Sequence, residues 1–462
     1  MPLLALVTAP DPNLALVLKV LPALVVILIT SAICGRLALM VMQPRVLGEM
    51  VAGVLLGPTL FGWLFPEAQA ALFPPEVRPV LYVLSTIGLT LYMFLVGAGL
   101  DHSARTPGEV RKASVLAASG ILPSLALGAG VGLLLYDTLS RPDVSPWHFA
   151  LFVGGALSLT AFPMLARILY ERGLENSPIG RLTLLAASID DALAWCVLAV
   201  LSAVHLGTGA SGALPTIALT ALFAVVMLKV VAPLLRPMGR TVARTGRLGP
   251  TAMYAVILIP LTAGWLTDWI GVYAVFGGFF AGLAMPRDPA FREVLHGRMM
   301  EVVSTLLLPT FFTFSGLNTH LGGIAGGTML LAFGLILAAG FCGKYFGCAL
   351  AMRAIGFGRR ESYAVGGLMN ARGLMILIFI NIGLAQGMIT QELFAMLVLV
   401  AVLTTAAALP LYKLALPDRL ERTLEPFAEN AVRPVQSGMA SQVSPPVPVS
   451  EQSGPGNSTT MV

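Results

Sequence analysis

Asp190 and Asp191 stand side by side in LTLLAASIDDALAWCVLAVL, a run with no other charge between Arg181 and its far end. If that run crosses a bilayer, an acid at its centre costs about 2.5 to 3.5 kcal/mol on insertion scales, and two ionised, unpaired acids about twice that. Selection for stability alone would remove them, so the pair points to proton or cation chemistry. Consecutive helical residues lie about 100° apart around the axis. The two carboxyls therefore face different neighbours: one position suits a basic partner on another helix, the other a water-filled cavity. Their titrations are coupled, so apparent pKa values belong to the pair. Burial disfavours the charged form and a nearby cation favours it, which lets such a pair be tuned towards cytoplasmic pH.

Two interruptions accompany the acids. In GGALSLTAFPMLARIL, Pro163 has no N–H to donate and clashes with the carbonyl of Leu159, so the helix is expected to kink or unwind around Thr160 to Phe162. Freed carbonyls with the hydroxyls of Ser158 and Thr160 are hard oxygen donors suited to an alkali cation, and broken helices near the midplane are where transporters bind ions. A plain proline kink is the bland alternative, and the neighbouring acids argue against it. In GGLMNARGLMILIFINIGL, Asn370 and Arg372, flanked by Gly367 and Gly373, break a second apolar run. Arg372 is always charged and suits the carbonyl ends of two facing half-helices. One interruption per half suggests inverted repeats whose breaks cross near the membrane centre. Four bases sit inside apolar runs. Lys19 and Lys229 lie near helix ends and can snorkel, whereas Lys344 and Arg372 lie deep.

The elements that must position these residues follow from composition. The 462 residues are 57% hydrophobic and only 11% charged, with a mean hydropathy of +0.86, against about a quarter charged in soluble domains. The chain is read as an all-α polytopic membrane protein. Its 48 glycines and 32 prolines suggest broken or closely packed helices. Apolar runs give about thirteen segments, near 14–36, 44–64, 77–98, 113–136, 148–170, 180–205, 212–235, 250–267, 271–286, 302–317, 326–351, 362–386 and 391–413. Every second loop is basic, carrying Arg36 and Arg45, then Arg105, Arg111 and Lys112, then Arg167, Arg172 and Arg181, then Arg236, Arg240, Arg244 and Arg247. The alternation continues through Arg287, Arg292 and Arg298, through Arg353, Arg359 and Arg360, and through Lys413, Arg419 and Arg422. It predicts a multi-pass cell-membrane protein with its N-terminus outside and its C-terminus cytoplasmic.

The net charge of +5 thus reflects topology, and no nucleic-acid partner is expected. Cys34, Cys196, Cys342 and Cys348 show no metal-ligand spacing and read as small packing residues. Residues 1–13 are expected to form a short external N-terminus, 14–413 the membrane domain, and 414–462 a disordered cytoplasmic tail rich in Ser, Pro and Gly. No GxGxxG follows the last helix, so a C-terminal nucleotide-binding regulatory domain is not expected.

Several stretches together resemble the monovalent cation:proton antiporter-2 family, which includes NapA-type sodium/proton antiporters, Kef-like exchangers and plant cation/proton exchangers. They are QPRVLGEMVAGVLLGPTLFG, LYMFLVGAGLD, TAFPMLARIL, SIDDALAW, GKYFG and NARGLMILIFINIG. The resemblance implies two inverted repeats, an elevator-type core around 77–205 and 326–413, and a dimerisation region around 14–64 and 250–317 in a homodimer. It makes Asp191 the carboxylate that binds cation and proton, and Asp190 the neighbour ion-paired to Lys344. Thr160 and Pro163 match the first crossing helix and Asn370 and Arg372 the second, where related exchangers more often carry lysine in place of Arg372. In FFTFSGLNTHL, Asn318 stands where the family often has an acid, so no transport role is assigned to it. The double-acid form is associated with electrogenic exchange.

The expected function is therefore exchange of Na+ or K+ for H+, by competition at Asp191, with no enzymatic activity and no cofactor beyond the transported ions Na+, K+ or Li+ and H+. Alternatives on the same fold are a K+-selective efflux exchanger, an electroneutral exchanger, a passive cation channel and an organic-anion symporter; the last leaves the acid pair unexplained. An intramembrane aspartyl protease also keeps two acids in the membrane. Its acids must share a proton, however, and adjacent residues of one helix point apart.

Overall fold

The computed structural model describes residues 11–99, 107–171, 174, 177–206, 210–324 and 326–417. Within them every regular element is helical. The tail from residue 418 onward, the first ten residues and Arg105 and Arg172 lie outside the described residues. We number the principal helices α1 (Pro12–Met40), α2 (Arg45–Leu56), α3 (Val77–Gly99), α4 (Pro107–Leu134), α5 (Pro146–Ser158), α6 (Phe162–Glu171) and α7 (Pro178–Leu206). The second half holds α8 (Ala210–Val226), α9 (Ala232–Thr245), α10 (Pro250–Ile270), α11 (Ala274–Leu283), α12 (Pro289–Val302) and α13 (Leu308–Leu317). It ends with α14 (Gly327–Ile355), α15 (Arg359–Leu368), α16 (Gly373–Ala385) and α17 (Gln391–Ala415).

Each expected apolar segment falls on one of these helices or on a pair of them. Among the described residues ten helices are long and apolar enough to cross a membrane, and the bent pair α15–α16, angled at 41°, makes an eleventh. The segment expected at 271–286 is a ten-residue helix, α11. At about 1.5 Å per residue it covers roughly half the hydrocarbon thickness.

The helix ends follow from local chemistry. Proline stands in the first turn of α1, α5, α10 and α12, where its missing N–H has no partner to lose. Asp11, Ser145 and Asp288 cap α1, α5 and α12 with side-chain oxygens. Widened π turns at Met227–Val231 and Val303–Leu307 precede Pro233 and Pro309. Each contains the carbonyl that the proline ring would otherwise strike, those of Lys229 and Thr305, so the widening relieves the clash.

The helices sort into two packed groups. In one, α4 lies against α5, α7 and α14, while α15 packs on α14 and α17. In the other, α2 lies against α1 and α13, and α3 against α11 and α13. Helix α3, grouped from the sequence with the core at 77–205, packs instead with the second group. The reason is backbone proximity: a methyl group on Gly278 or Gly282 of α11 would overlap the carbonyls of Thr90 and Phe94 on α3. Side chains of ordinary size there would part the two helices. Lys19 is 46% exposed and pairs with Glu76 at 3.6 Å, and Lys229 is exposed, as snorkelling bases should be.

Candidate functional site

The first break lies where Pro163 requires it, one residue earlier than expected. Helix α5 ends at Ser158, Leu159 to Ala161 are not helical, and α6 begins at Phe162 with Pro163 in its first turn. There a proline needs no hydrogen-bond partner, so Phe162 joins the new helix rather than the gap. The second break covers Met369 to Arg372, between α15 and α16. The two non-helical stretches cross and bond to each other. Ala161 N donates to Ala371 O at 2.8 Å, and Thr160 Oγ1 donates to Met369 O at 3.0 Å. Backbone groups released by each break are thus satisfied by the other, which is what irregular backbone buried in a membrane protein requires.

Two cations close the carbonyl end of α5. Lys344 on α14, fully buried, donates from Nζ to Ser158 O and to Asp190 Oδ2. Arg372, equally buried, donates to Leu157 O and to Gly340 O of α14. Positive charge at a helix C-terminus opposes the macrodipole's negative end. Arg372 was expected to serve two facing half-helices. Instead it joins the end of α5 to the middle of α14. Ser158 contributes its carbonyl to Lys344, and its hydroxyl donates to Gly155 O at 2.8 Å. Asn370 Nδ2 donates to Gly366 O at 3.2 Å, leaving its buried Oδ1 without a partner.

Asp190 and Asp191 have the divided environments that helix geometry demands. Asp190, 1% exposed, is paired with Lys344. Asp191 is 2% exposed and neither of its oxygens has a hydrogen-bond partner. One carboxyl is therefore neutralised by the fold, and the other is left with oxygens available to a proton or a cation.

A cavity of about 810 Å3 borders the first break and the turn of α7 that precedes the acid pair. Ala161 of the first break, Phe162 and Pro163 at the start of α6, and Ser188, one turn before Asp191, line it together with Arg45, Glu49 and His296. Glu49 is 4% exposed and lies 3.1 Å from Arg45 Nε. Neither Glu49 nor His296 was singled out in the sequence, although an acid four residues after an arginine in an apolar stretch was a readable signal.

Replacing Arg372 with lysine keeps one charge but offers a shorter head that cannot span two carbonyls on different helices. Arg372→Lys is expected to lower stability by about 1–3 kcal/mol by leaving one buried carbonyl unpaired. Thermal unfolding in detergent checks this, and an unchanged transition would show that the bridge contributes nothing.

A long bundle with two discontinuous helices crossing beside a buried acid pair is the architecture of a polytopic membrane transporter. The chain matches the transmembrane sodium/hydrogen exchanger family over residues 24–412 and belongs to that family. It is 37% identical to the Na(+)/H(+) antiporter NhaS4 of Synechocystis over 396 residues, 85% of this chain and 96% of that one. It is 34% identical to cation/H(+) antiporter 18 of Arabidopsis thaliana over 86% of this chain, and spans 49% of that protein's length. The K(+)/H(+) antiporter 1 of Saccharomyces cerevisiae is 29% identical over 82% of this chain and 44% of its own. The fold matches that of the sodium proton antiporter MjNhaP1 of Methanocaldococcus jannaschii with a TM-score of 0.61, at 16% identity, covering 90% of this chain and 98% of that one.

Proposed function

We propose that the protein exchanges a monovalent cation for protons across a cell membrane, with both ligands competing for Asp191. The observation that carries this reading is the asymmetry of the acid pair. Asp190 is held by Lys344, while Asp191 is buried one turn beyond Ser188, which borders a large cavity, and has both oxygens unpartnered. A single carboxyl that binds either ligand couples the two flows: protonation removes its cation affinity, and a bound cation displaces the proton.

In this reading α4–α7 and α14–α17 form the moving part, and α1–α3 with α10–α13 the static, dimer-forming part. The chain then crosses the membrane thirteen times as two inverted repeats, N-terminus outside and basic loops cytoplasmic, so the large cavity is the cytoplasmic access route. Asp190 with Lys344 makes the exchange electrogenic. Relatives named for Na(+)/H(+) and for K(+)/H(+) exchange support the monovalent class as a whole.

The test is cation binding to purified protein across pH. For one shared carboxyl, apparent affinity is flat above the pKa of the site and weakens about tenfold per pH unit below it, since each bound cation releases one proton. A panel of Na+, K+ and Li+ run side by side names the substrate. Affinity that stays constant through the whole titration overturns competition at one site.

A further inference from the structure

The large cavity and a second, smaller one of about 250 Å3 touch opposite ends of the same three helices. The large one reaches Tyr92 on α3, Leu308 on α13 and Leu374 on α16. The small one begins at Leu89, Phe311 and Ile378 on those helices in turn. Three or four residues separate the members of each pair, a rise of about 4.5–6 Å. The barrier between the cavities is therefore about one helical turn thick. Its residues, Thr90 on α3, Thr310 on α13 and Met375 to Leu377 on α16, are buried.

A polar contact joins the two helix groups at the small cavity. Asn381 Nδ2 on α16 donates to Ser315 Oγ on α13 at 2.9 Å, and also to Leu377 O at 2.8 Å. Ser85 on α3, 2% exposed, borders the same cavity, and its hydroxyl has no hydrogen-bond partner. A sealed apolar gap gives no reason for an unpaired buried hydroxyl, whereas a gap that fills with water or a hydrated cation in another state supplies its partner there. Helix α16 belongs with the group that carries the crossing and α13 with the other, so widening the small cavity separates Asn381 from Ser315.

We propose that the small cavity is the outer half of the cation passage and that the Asn381–Ser315 hydrogen bond is the latch that keeps it narrow in this state. Ser85 then becomes an oxygen donor to the passing cation when the latch opens. The inference rests on the exchange reading above. Asn381 and Ser315 act as positioning residues, through the balance between states rather than by holding the ion at the crossing.

The test uses the full chain with Cys34, Cys196, Cys342 and Cys348 changed to alanine and Ser85→Cys introduced, labelled in intact cells with a membrane-impermeant maleimide. Loss of one hydrogen bond from the closed state raises the labelling rate about two- to tenfold in Asn381→Ala, and equally in Ser315→Ala. The double variant rises no further, because the two changes remove one interaction. Ser304→Cys in the large cavity labels only after the cells are permeabilised, and more slowly in the Asn381→Ala background. Labelling at the parent rate in both single variants overturns the latch. So does a double variant whose rise is the product of the two single rises. Exchange measured in vesicles is a separate readout: its absence in the unmodified chain refutes antiport, whereas unchanged labelling beside intact exchange refutes the latch alone.

Discussion

Asp191→Asn abolishes cation-driven proton movement in reconstituted vesicles while leaving the protein folded. The amide matches the carboxyl in shape but can neither release a proton in the relevant range nor neutralise a cation. Both ligands lose their site in one substitution. Stability is expected to be retained because the structure gives the Asp191 oxygens no hydrogen bond to lose. Among the described residues no ion pair to that carboxyl is seen, and Lys344, a nearby cation, is engaged by Asp190. A thermal transition no lower than the parent's, together with a flat pH-dye trace after a cation jump, is the expected result. Residual exchange with the parent's pH dependence in Asp191→Asn would place the exchanging carboxyl elsewhere.

Lys344→Ala has the opposite signature, with a large loss of stability. Removing one partner of a fully buried pair leaves the other charge uncompensated and costs about 3–5 kcal/mol. Here it also strips the Ser158 carbonyl at the end of α5 of its donor. Removing both charges, as in Lys344→Leu with Asp190→Asn, is expected to recover most of that loss, since well-packed uncharged replacements of a buried pair are often neutral. A double-mutant cycle by thermal unfolding measures the difference, with a coupling of at least about 1 kcal/mol expected for groups in contact. Additive single effects would mean that the pair does not act as a unit. The same double variant tests the charge carried per cycle. Its transport current is expected to vanish while dye-detected exchange persists, and a current equal to the parent's would detach the pair from electrogenicity.

Much of the site was legible because its causes are local. Pro163 acts through the carbonyl four residues before it, so the break near Thr160 could be placed to within one residue. The Asn370–Arg372 interruption was legible because a charge and glycines in an apolar run have no other structural explanation. The divergence of Asp190 and Asp191 follows from helical geometry. The basic loops could be counted off a sequence, and they set the register of the segments.

Other features depend on residues far apart in the chain. Nothing near residue 85, 315 or 381 shows that these two serines and this asparagine meet. Only the packing of α3, α13 and α16 makes them neighbours around one cavity. The allegiance of α3 was equally hidden, because it rests on the small residues of α11, Gly278 and Gly282, which admit the α3 backbone. Arg372 was readable as a charge seeking carbonyls. That its carbonyls are Leu157 O and Gly340 O depends on how α5 and α14 pack beside the crossing.

By itself, then, the sequence determined that two helices break and that two acids face apart within one apolar helix. Each of these follows from forces acting within a few residues or from the expense of burying charge in hydrocarbon. Tertiary structure alone decided which carbonyls the buried cations close, which group of helices α3 joins, and which polar residues meet around the small cavity. Those outcomes arise from contacts between segments tens to hundreds of residues apart, whose spacing is set by how closely the helices can approach.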